Sequence, residues 1–388
     1  MAQKILYLVS EDWFFVSHRL PMARAAKTAG YDVHVAARVG DCADKITGEG
    51  FSLHPIQWRR GSMNPFRLLA AVAETRRLYR HVAPDLVHHV ALLPIVVGSL
   101  AALGLPVRVL NAFTGLGFTF ASKTARARLL RLLAGVFLGW LLKRPSCTVL
   151  VQNLDDRAVI AGFGVPQDRI AMIAGSGVDV DAFTPLPEPA DPVCTVAFIS
   201  RLLDGKGVRT LVRAHEILTG RGVPIRLLLA GAPDALNPTS IPNDLLDEWR
   251  KTSNLVLLGH VDDVRSVWRQ AHIAVLPSRG GEGIPMSLLE AAACGRPLVA
   301  TDVPGCREVA RQGVTGLLVR PDDPAALADA IETLVNDPGM RLRFGRGGRQ
   351  LVSDEFSSAR IRREIVALYA RMLAGGSQST PGERLSHG

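Results

Sequence analysis

The chain alternates between short apolar runs and longer segments in which apolar residues recur with helical spacing. Each apolar run ends in a turn rich in glycine, proline or aspartate, which is the pattern of a buried parallel strand followed by a helix. Examples are KILYLVS, YDVHVAAR, PDLVHHV and VRVLNAF in the first half, and VAFIS, LLLAG, LVLLG, HIAVLP and PLVAT in the second. This repeated order predicts α/β domains built on doubly wound parallel sheets.

Chain length predicts two such domains. With 388 residues, of which 48% are hydrophobic, the chain exceeds what one core usually supports and can fill two. The segment FTPLPEPADP has four prolines in ten residues, which is typical of a linker. We therefore predict an N-terminal domain over residues 1–184, a C-terminal domain over 192–356 and a final amphipathic helix over 357–374. The small polar tail, residues 375–388, is expected to be disordered.

The segment from Leu276 to Thr301 carries the most specific chemistry. A buried strand leads into a glycine-rich turn, and a helix is expected from about Ile284, with Glu282 in the turn and Glu290 about two turns into the helix. A helix start at the carboxyl edge of a parallel sheet suits a diphosphate. Glu282 could then accept hydrogen bonds from sugar hydroxyls and Glu290 from a ribose diol. The alternative is that Glu282 caps the helix and Glu290 is a solvated surface residue.

A second loop favours the nucleotide-sugar interpretation. Arg201 and Lys206 follow the strand VAFIS, and an amphipathic helix comes after them. Two cations beyond a strand end are suited to neutralise a leaving diphosphate. Taken alone, cations at this spacing are more often solvated surface residues.

Together these residues resemble the retaining glycosyltransferases of family four, from Lys4 to about Leu373. The resemblance implies the GT-B fold, two Rossmann-like domains facing across a cleft, with the last helix crossing back onto the first domain. It assigns catalytic roles to Glu282, Arg201 and Lys206. It also implies a donor site in which Glu290 contacts the ribose, His260 and Val261 hold the base, and the loops contribute Gly205, Gly283 and Ile284.

The acceptor side is expected in the N-terminal domain. His18 and Arg19 are expected to open the first helix and face the cleft, and His18 is a catalytic candidate. Acceptor-binding candidates at other strand ends are His88, His89, Asn111 and Thr114, with Gly115 and Gly117 nearby. The sequence segments that contain these residues resemble those of bacterial enzymes that extend undecaprenyl-diphosphate-linked saccharides in O-antigen, capsule or exopolysaccharide synthesis. The alternatives are that His88 and His89 only hydrogen-bond the backbone and that His18 is merely a helix-start residue.

The expected reaction is transfer of a hexose or N-acetylhexosamine from a UDP-sugar with retention. No well-placed second carboxylate supports a double displacement. Because no Asp-x-Asp motif ends a donor-site strand and the cations already supply the charge, neither a metal nor another cofactor is expected. Asp262 and Asp263 lie in the base-side turn, where capping a helix is the alternative to chemistry. A GT-B enzyme with a soluble acceptor, a nucleotide-sugar epimerase and a nucleotide-binding protein without catalysis remain open. A Rossmann dehydrogenase is disfavoured because no GxGxxG follows the first strand.

Charge suggests a membrane partner. The net charge is +9 with a pI near 9.7, and basic residues flank the apolar run Leu132–Leu142, namely Lys123, Arg126, Arg128 and Arg131 before it and Lys143 and Arg144 after it. Eleven residues are too few to span a bilayer, which needs roughly 20, so we expect an interfacial helix on anionic lipid. The alternative is a buried helix with a solvated basic end.

Other features of the composition bear on location and partners. Five cysteines without CxxC spacing favour a reduced chain, and the first apolar run is too short for a signal peptide. The expected location is the cytoplasmic face of the inner membrane. A nucleic-acid partner is not expected because aromatics are only 6% and no recognition module is evident.

Overall fold

The computed structural model describes residues 2–58, 64–116, 135–234 and 237–374, and these residues form two parallel sheets, one in each half of the chain. The described N-terminal strands are β1 (Lys4–Glu11), β2 (Asp32–Arg38), β3 (Ser52–Pro55), β4 (Leu86–Val90), β5 (Arg108–Ala112), β6 (Cys147–Val151) and β7 (Ile170–Met172). They pair in parallel in the order β3-β2-β1-β4-β5-β6-β7. The predicted doubly wound α/β architecture is confirmed.

Helices cover both faces of this sheet. They are α1 (Asp12–His18), α2 (Leu20–Thr28), α3 (Ala43–Gly48), α4 (Pro65–Val82), α5 (Leu92–Ala101), α6 (residues 135–142) and α7 (Leu154–Gly162). Central strand β1 is apolar on both sides, because Tyr7 packs with α1–α3 while Leu6 packs with α4 and α5. Burial on both faces explains why the strands read as nearly continuous apolar runs.

The first helix differs from the expected one. The chain turns helical at Asp12, directly after β1, and His18 is the last residue of α1 rather than an opening residue. Arg19 breaks the helix, with φ −123° and ψ −16°, and α2 then starts at Leu20 with Pro21 in its first turn. Proline lacks an N–H and fits a helix start, so one predicted helix becomes two.

The C-terminal sheet has the same parallel design. Its described strands are β8 (Cys194–Ile199), β9 (Ile225–Ala230), β10 (Leu255–Gly259), β11 (Ile273–Leu276), β12 (Leu298–Thr301) and β13 (Gly316–Val319). Their order is β10-β9-β8-β11-β12-β13, and one continuous core lies around them. The flanking helices are α8 (Val208–Gly220), α9 (Asn243–Trp249), α10 (Arg265–Trp268), α11 (Met286–Ala293), α12 (Cys306–Val309), α13 (Pro324–Asn336) and α14 (Pro338–Glu355).

Two segments connect the halves. The proline-rich segment packs along the C-terminal domain, where the Leu186 N–H donates to the Cys294 carbonyl over 3.0 Å and Glu188 pairs with Arg341. The last helix, α15 (Ser358–Ala374), returns to the N-terminal domain and packs on α2. There the hydroxyls of Tyr369 and Tyr7 lie 2.7 Å apart. The end of the chain therefore completes the first domain.

The predicted membrane segment is described only in part. Lys123, Arg126, Arg128, Arg131 and the start of the apolar run lie outside the described residues, as do Gly117 and the tail 375–388. Within α6, Val136, Phe137 and Trp140 are exposed. In the part of the chain that is described, we find no helix both long enough and apolar enough to cross a bilayer.

Candidate functional site

A cleft lies between the two domains, at the carboxyl ends of both sheets. Its N-terminal wall is formed by the α1–α2 region together with Thr114, Gln152 and Ser176, and its C-terminal wall by residues after β8 and β11. Strands β8 and β11 are neighbours, so the loop with Arg201 and Lys206 meets the loop with Glu282. The sequence analysis assigned both loops to one nucleotide-sugar site, and the pairing of β8 with β11 brings them to the same sheet edge.

Lys206 and Glu282 form an ion pair at the centre of the cleft. The Lys206 Nζ lies 2.7 Å and 2.8 Å from the two carboxylate oxygens, and Ser278 Oγ donates to Glu282 Oε1 over 2.8 Å. Glu282 is buried, and Lys206 ends a short 3₁₀ turn that includes Gly205. Glycine is required at the next position, because Gly207 has φ +73° and a Cβ there would lie 1.8 Å from the Pro277 carbonyl oxygen. The two loops are thus packed directly on each other.

Arg201 lies beside a second recess of the C-terminal domain. Its guanidinium donates to Asp234 over 2.8 Å and lies 5.9 Å from the centre of the Trp13 ring. The recess is lined by the ends of β8 and β9 and by His260 and Val261. A flat, largely apolar recess beside a cation is suited to a nucleobase next to a phosphate. Asp263, by contrast, lies two residues before α10 and accepts from the Arg265 N–H over 3.1 Å.

Glu290 lies on the cleft side of α11, partly buried. The helix begins at Met286 with Pro285 as its extended N-cap, so Glu290 is about one turn into the helix rather than the expected two. Burial raises the pKa of this carboxyl to about 8. Neutral at lower pH, it is positioned to become charged when a ligand supplies hydrogen-bond donors.

His18 lines the cleft opposite the two loops that carry Lys206 and Glu282. Its ring stacks on Phe14 with a centroid distance of 4.4 Å, and its Nδ1 lies 2.6 Å from Ser17 Oγ. Burial, followed by the positive charges of Arg19, Lys206 and Arg201, lowers the pKa of His18 to about 4. His18 is therefore neutral at physiological pH.

Arg19 is a buried cation at the same wall. Its side chain is 1% exposed and lies 3.5 Å from Ser176 Oγ, with no carboxylate partner among the residues described. Burial lowers its pKa. An unpaired buried guanidinium costs free energy unless an anion joins it, so Arg19 is a candidate anion-binding group.

His88, His89 and Asn111 are not in the cleft, which corrects their expected contact with an acceptor. All three are fully buried in the N-terminal domain. His89 bonds the Tyr79 hydroxyl and Asn111 Oδ1, each over 2.8 Å, and His88 lies 2.7 Å from the Tyr369 hydroxyl. Burial lowers the pKa of His89 to about 4. Helices α4 and α15 cover these strand residues, so their function is internal packing and hydrogen bonding with side chains.

Two loops of the N-terminal domain directly contact the loop that carries Glu282. Thr114 lies in the cleft wall, and a Cβ at the neighbouring Gly115, where φ is +121°, would lie 2.3 Å from the Gly281 carbonyl oxygen. Gln152 follows β6, and its Oε1 accepts from the Ile284 N–H over 2.8 Å. We did not predict Gln152. The available signal was its position as a polar residue immediately after a buried strand.

The charge in the cleft is supplied by side chains. Among the described residues, no group of three or more histidines, cysteines, aspartates or glutamates is arranged to hold a metal ion. Arg201, Lys206 and Arg19 line the cleft, the first two paired with carboxylates and Arg19 without one among the residues described, and cations so placed suit an anionic ligand.

Comparisons with known proteins agree with this architecture. A family model described as "Glycosyl transferase 4-like" matches residues 4–150, and one described as "Glycosyl transferases group 1" matches residues 193–337. The chain is 28% identical to EpsD of Bacillus subtilis, named as a glycosyltransferase, over 95% of this chain and 97% of that protein. It is 24% identical to the N,N'-diacetylbacillosaminyl-diphospho-undecaprenol alpha-1,3-N-acetylgalactosaminyltransferase of Campylobacter jejuni, over 92% of this chain and 95% of that enzyme.

Solved structures share the fold. Sucrose-phosphate synthase from Thermosynechococcus elongatus superposes with a TM-score of 0.80 at 22% identity, over 96% of this chain and 100% of that one. Anabaena HepE, determined in complex with UDP and glucose, has a TM-score of 0.74 at 18% identity, over 95% and 99% of the two chains. The predicted two-domain GT-B architecture is thereby confirmed.

Proposed function

The chain belongs to the family-four glycosyltransferases with the GT-B fold, and we propose that it moves a hexose or N-acetylhexosamine from a UDP-sugar, with retention, to a polyprenyl-diphosphate-linked saccharide. In this proposal the reaction extends a lipid-linked chain during synthesis of a bacterial surface polysaccharide. The observation that carries it is the partly buried Lys206–Glu282 ion pair, which lies in the cleft between the recess at His260 and Val261 and the N-terminal wall.

The donor would lie across the C-terminal wall. The base would occupy the recess at His260 and Val261, and the ribose would bond Glu290. Lys206 and Arg201 would neutralise the diphosphate, since cations aimed at developing charge stabilise a departing phosphate. Gly205, Gly283 and Ile284 would contribute backbone contacts, and Glu282 would bond hydroxyls of the transferred sugar. Lys206 already lies against Glu282, so one cation can contact both the sugar-binding carboxylate and the phosphate.

The transfer step would use the leaving group as the base. The acceptor oxygen attacks the anomeric carbon from the face that the diphosphate leaves, the bond to the phosphate oxygen breaks, and the hydroxyl proton passes to that oxygen. His18, neutral because its pKa is about 4, would hydrogen-bond the acceptor saccharide and orient it, so that the proton of the attacking hydroxyl is left to pass to the phosphate oxygen. The three cations supply the required charge, so we propose that the reaction needs no metal or other cofactor.

The acceptor would approach along the N-terminal wall. Thr114 and Ser176 offer hydroxyls there, and the unpaired Arg19 offers a cation to an acceptor phosphate. A lipid-linked acceptor is supported by the Campylobacter relative, whose name specifies a diphospho-undecaprenol substrate.

A membrane-facing surface would bring the chain to such a lipid. Val136, Phe137 and Trp140 are exposed on α6, and the Arg144 guanidinium lies 5.7 Å from the centre of the Trp140 ring. Aromatic side chains beside cations favour the interface of an anionic bilayer. We propose peripheral association with the cytoplasmic face of the inner membrane.

The test is transfer by the purified full chain. UDP-linked glucose, galactose, N-acetylglucosamine and N-acetylgalactosamine would each be incubated with detergent-solubilised undecaprenyl-diphosphate saccharides, and products followed by mass spectrometry and NMR. We expect one sugar added to the lipid acceptor, with its anomeric configuration kept. Product only with soluble saccharides would identify a soluble-acceptor enzyme, and donor isomerisation without acceptor an epimerase. UDP binding without turnover of any donor or acceptor would contradict the proposed transferase.

A matched pair of variants separates the site from the fold. Lys206→Met should remove the product, whereas Arg213→Met changes an exposed residue of α8 that pairs with Glu216 on the same helix. Equal loss in both variants would show that the assay reports protein integrity rather than the cleft.

A further inference from the structure

Gln152 belongs to the N-terminal domain but contacts a loop of the C-terminal domain. That loop lies between β11 and α11, carries Glu282 and is called the donor loop below. Gln152 follows β6 of the N-terminal sheet, it is almost completely buried, and it lines the cleft. Its carboxamide oxygen accepts the Ile284 N–H over 2.8 Å, across 132 residues of sequence. Ile284 lies two residues after Glu282. The contact therefore joins the N-terminal domain to the sugar side of the proposed donor site.

The approach is too close for any side chain at the intervening position. A Cβ at Gly283 would lie 2.0 Å from Gln152 Oε1 and 2.9 Å from the Thr114 carbonyl oxygen. Glycine at 283 therefore lets the Gln152 carboxamide lie flat against the donor loop. Gln152 and Glu282 line the same cleft.

The Ile284 N–H is a group that the proposed donor site also uses. This N–H donates to Gln152 Oε1, while no hydrogen bond from the carboxamide nitrogen of Gln152 is found in the described part of the chain. A sugar hydroxyl can replace both partners, because it can accept from the Ile284 N–H and also donate to the amide oxygen. The free carboxamide N–H groups then face a second sugar oxygen.

We propose that Gln152 is a sugar-specificity residue: its carboxamide contacts hydroxyls of the transferred sugar, so both domains read the donor. This inference rests on the proposed function and adds a residue that the donor loop itself does not contain. Because a buried carboxamide left without its partner is costly, Gln152 discriminates against sugars whose hydroxyls do not match it. Gln152 makes no contact with the nucleobase recess, so UDP alone does not depend on it.

The test compares UDP-sugar with UDP in three variants. Gln152→Leu keeps the approximate size of the side chain but removes both polar atoms. Gln152→Glu can still accept the Ile284 N–H but cannot donate. Gln350→Leu is the matched control on α14, where the exposed glutamine bonds Asp354. Dissociation constants for UDP and for the best UDP-sugar would be measured by calorimetry, and kcat and KM for donors of the glucose and galactose series by product formation.

For Gln152→Leu we expect an unchanged UDP affinity, a UDP-sugar affinity about 10-fold lower and a kcat/KM about 10- to 100-fold lower. The ratio of kcat/KM between glucose- and galactose-series donors should also change. Gln152→Glu should lose the donor preference while its melting temperature stays close to the wild type. Gln350→Leu should behave as the wild type in every assay.

Two results would overturn the proposal. If Gln152→Leu weakened the affinities for UDP and for the UDP-sugar equally, Gln152 would only stabilise the donor loop and would not contact the sugar. Unchanged kinetics in both Gln152 variants would remove any role. If the wild type itself bound no UDP-sugar, the proposed function would fail instead, so the two failures are distinguishable.

Discussion

Donor binding should release a proton from Glu290. Burial holds the pKa of this carboxyl near 8 in the ligand-free protein, so the group is protonated over most of the physiological range. Ribose hydroxyls donate to a carboxylate, so the bound state favours the charged form and lowers the pKa. Below pH 8 the protein must therefore lose a proton to bind, and the affinity falls as the pH falls.

The size of the effect follows from the two pKa values. If the bound pKa returns to the ordinary glutamate value of about 4.3, the dissociation constant at pH 6.5 is about 25-fold weaker than at pH 8.5. About one proton is released per donor bound at pH 6.5. His18 titrates near pH 4, below this window, and the diphosphate of a nucleotide sugar is a diester that keeps its charge throughout.

Calorimetry in two buffers with different ionisation enthalpies measures both the affinity and the number of protons released. Glu290→Gln should bind the UDP-sugar with little pH dependence and release no proton, whereas Glu216→Gln, on the exposed side of α8, should keep the wild-type profile. A wild-type affinity that is constant between pH 6.5 and pH 8.5, or an unchanged slope in Glu290→Gln, would show that Glu290 loses no proton when the donor binds.

Three further outcomes are expected. Lys206→Met should lower kcat/KM at least about 100-fold, because one preorganised charge at the leaving group is worth that much; product formation measures it, and retained turnover would contradict the assignment. His89→Ala should lower the free energy of unfolding by about 1–3 kcal/mol, because it removes the ring nitrogen that bonds the buried Tyr79 hydroxyl, with no change in acceptor KM; a raised acceptor KM at wild-type stability would contradict the internal position of His89. Trp140→Ser should weaken flotation with phosphatidylglycerol vesicles, whereas Leu342→Ser, on α14, should not; equal weakening would exclude a specific α6 surface.

Local pattern predicted most of the strands and put Lys206 and Glu282 at strand ends, but it did not predict that these two residues form an ion pair. Lys206 and Glu282 each follow a buried apolar run, and parallel topology brings the ends of neighbouring strands together. Their separation of 76 positions along the chain did not matter, because the sheet fixes the distance between the two side chains. What a strand end does not reveal is which of its residues faces the cleft.

The histidine and glutamine assignments needed tertiary structure. His88 and His89 lie at a strand end, but Tyr369 and Tyr79 arrive from distant helices and enclose them. Among the described residues, the Gln152 side chain accepts its hydrogen bond from the Ile284 N–H, which belongs to the other domain. Contacts of this kind depend on how whole domains pack, and periodicity carries no signal for them.

The return of α15 has a consequence for synthesis on the ribosome. Ile361, Ile365, Leu368 and Tyr369 belong to the same core as Tyr7 of the central strand, so the first domain to be translated lacks part of its core until the last helix emerges. By contrast, all described strands of the second domain and its helices α8–α14 have been translated once Glu355 is added. Domains generally fold as units during translation, and here the order of completion is the reverse of the order of sequence. A nascent chain stopped just before Ser358 would carry the C-terminal sheet with its recess at His260 and Val261, while one face of its N-terminal sheet would lack the apolar residues of α15.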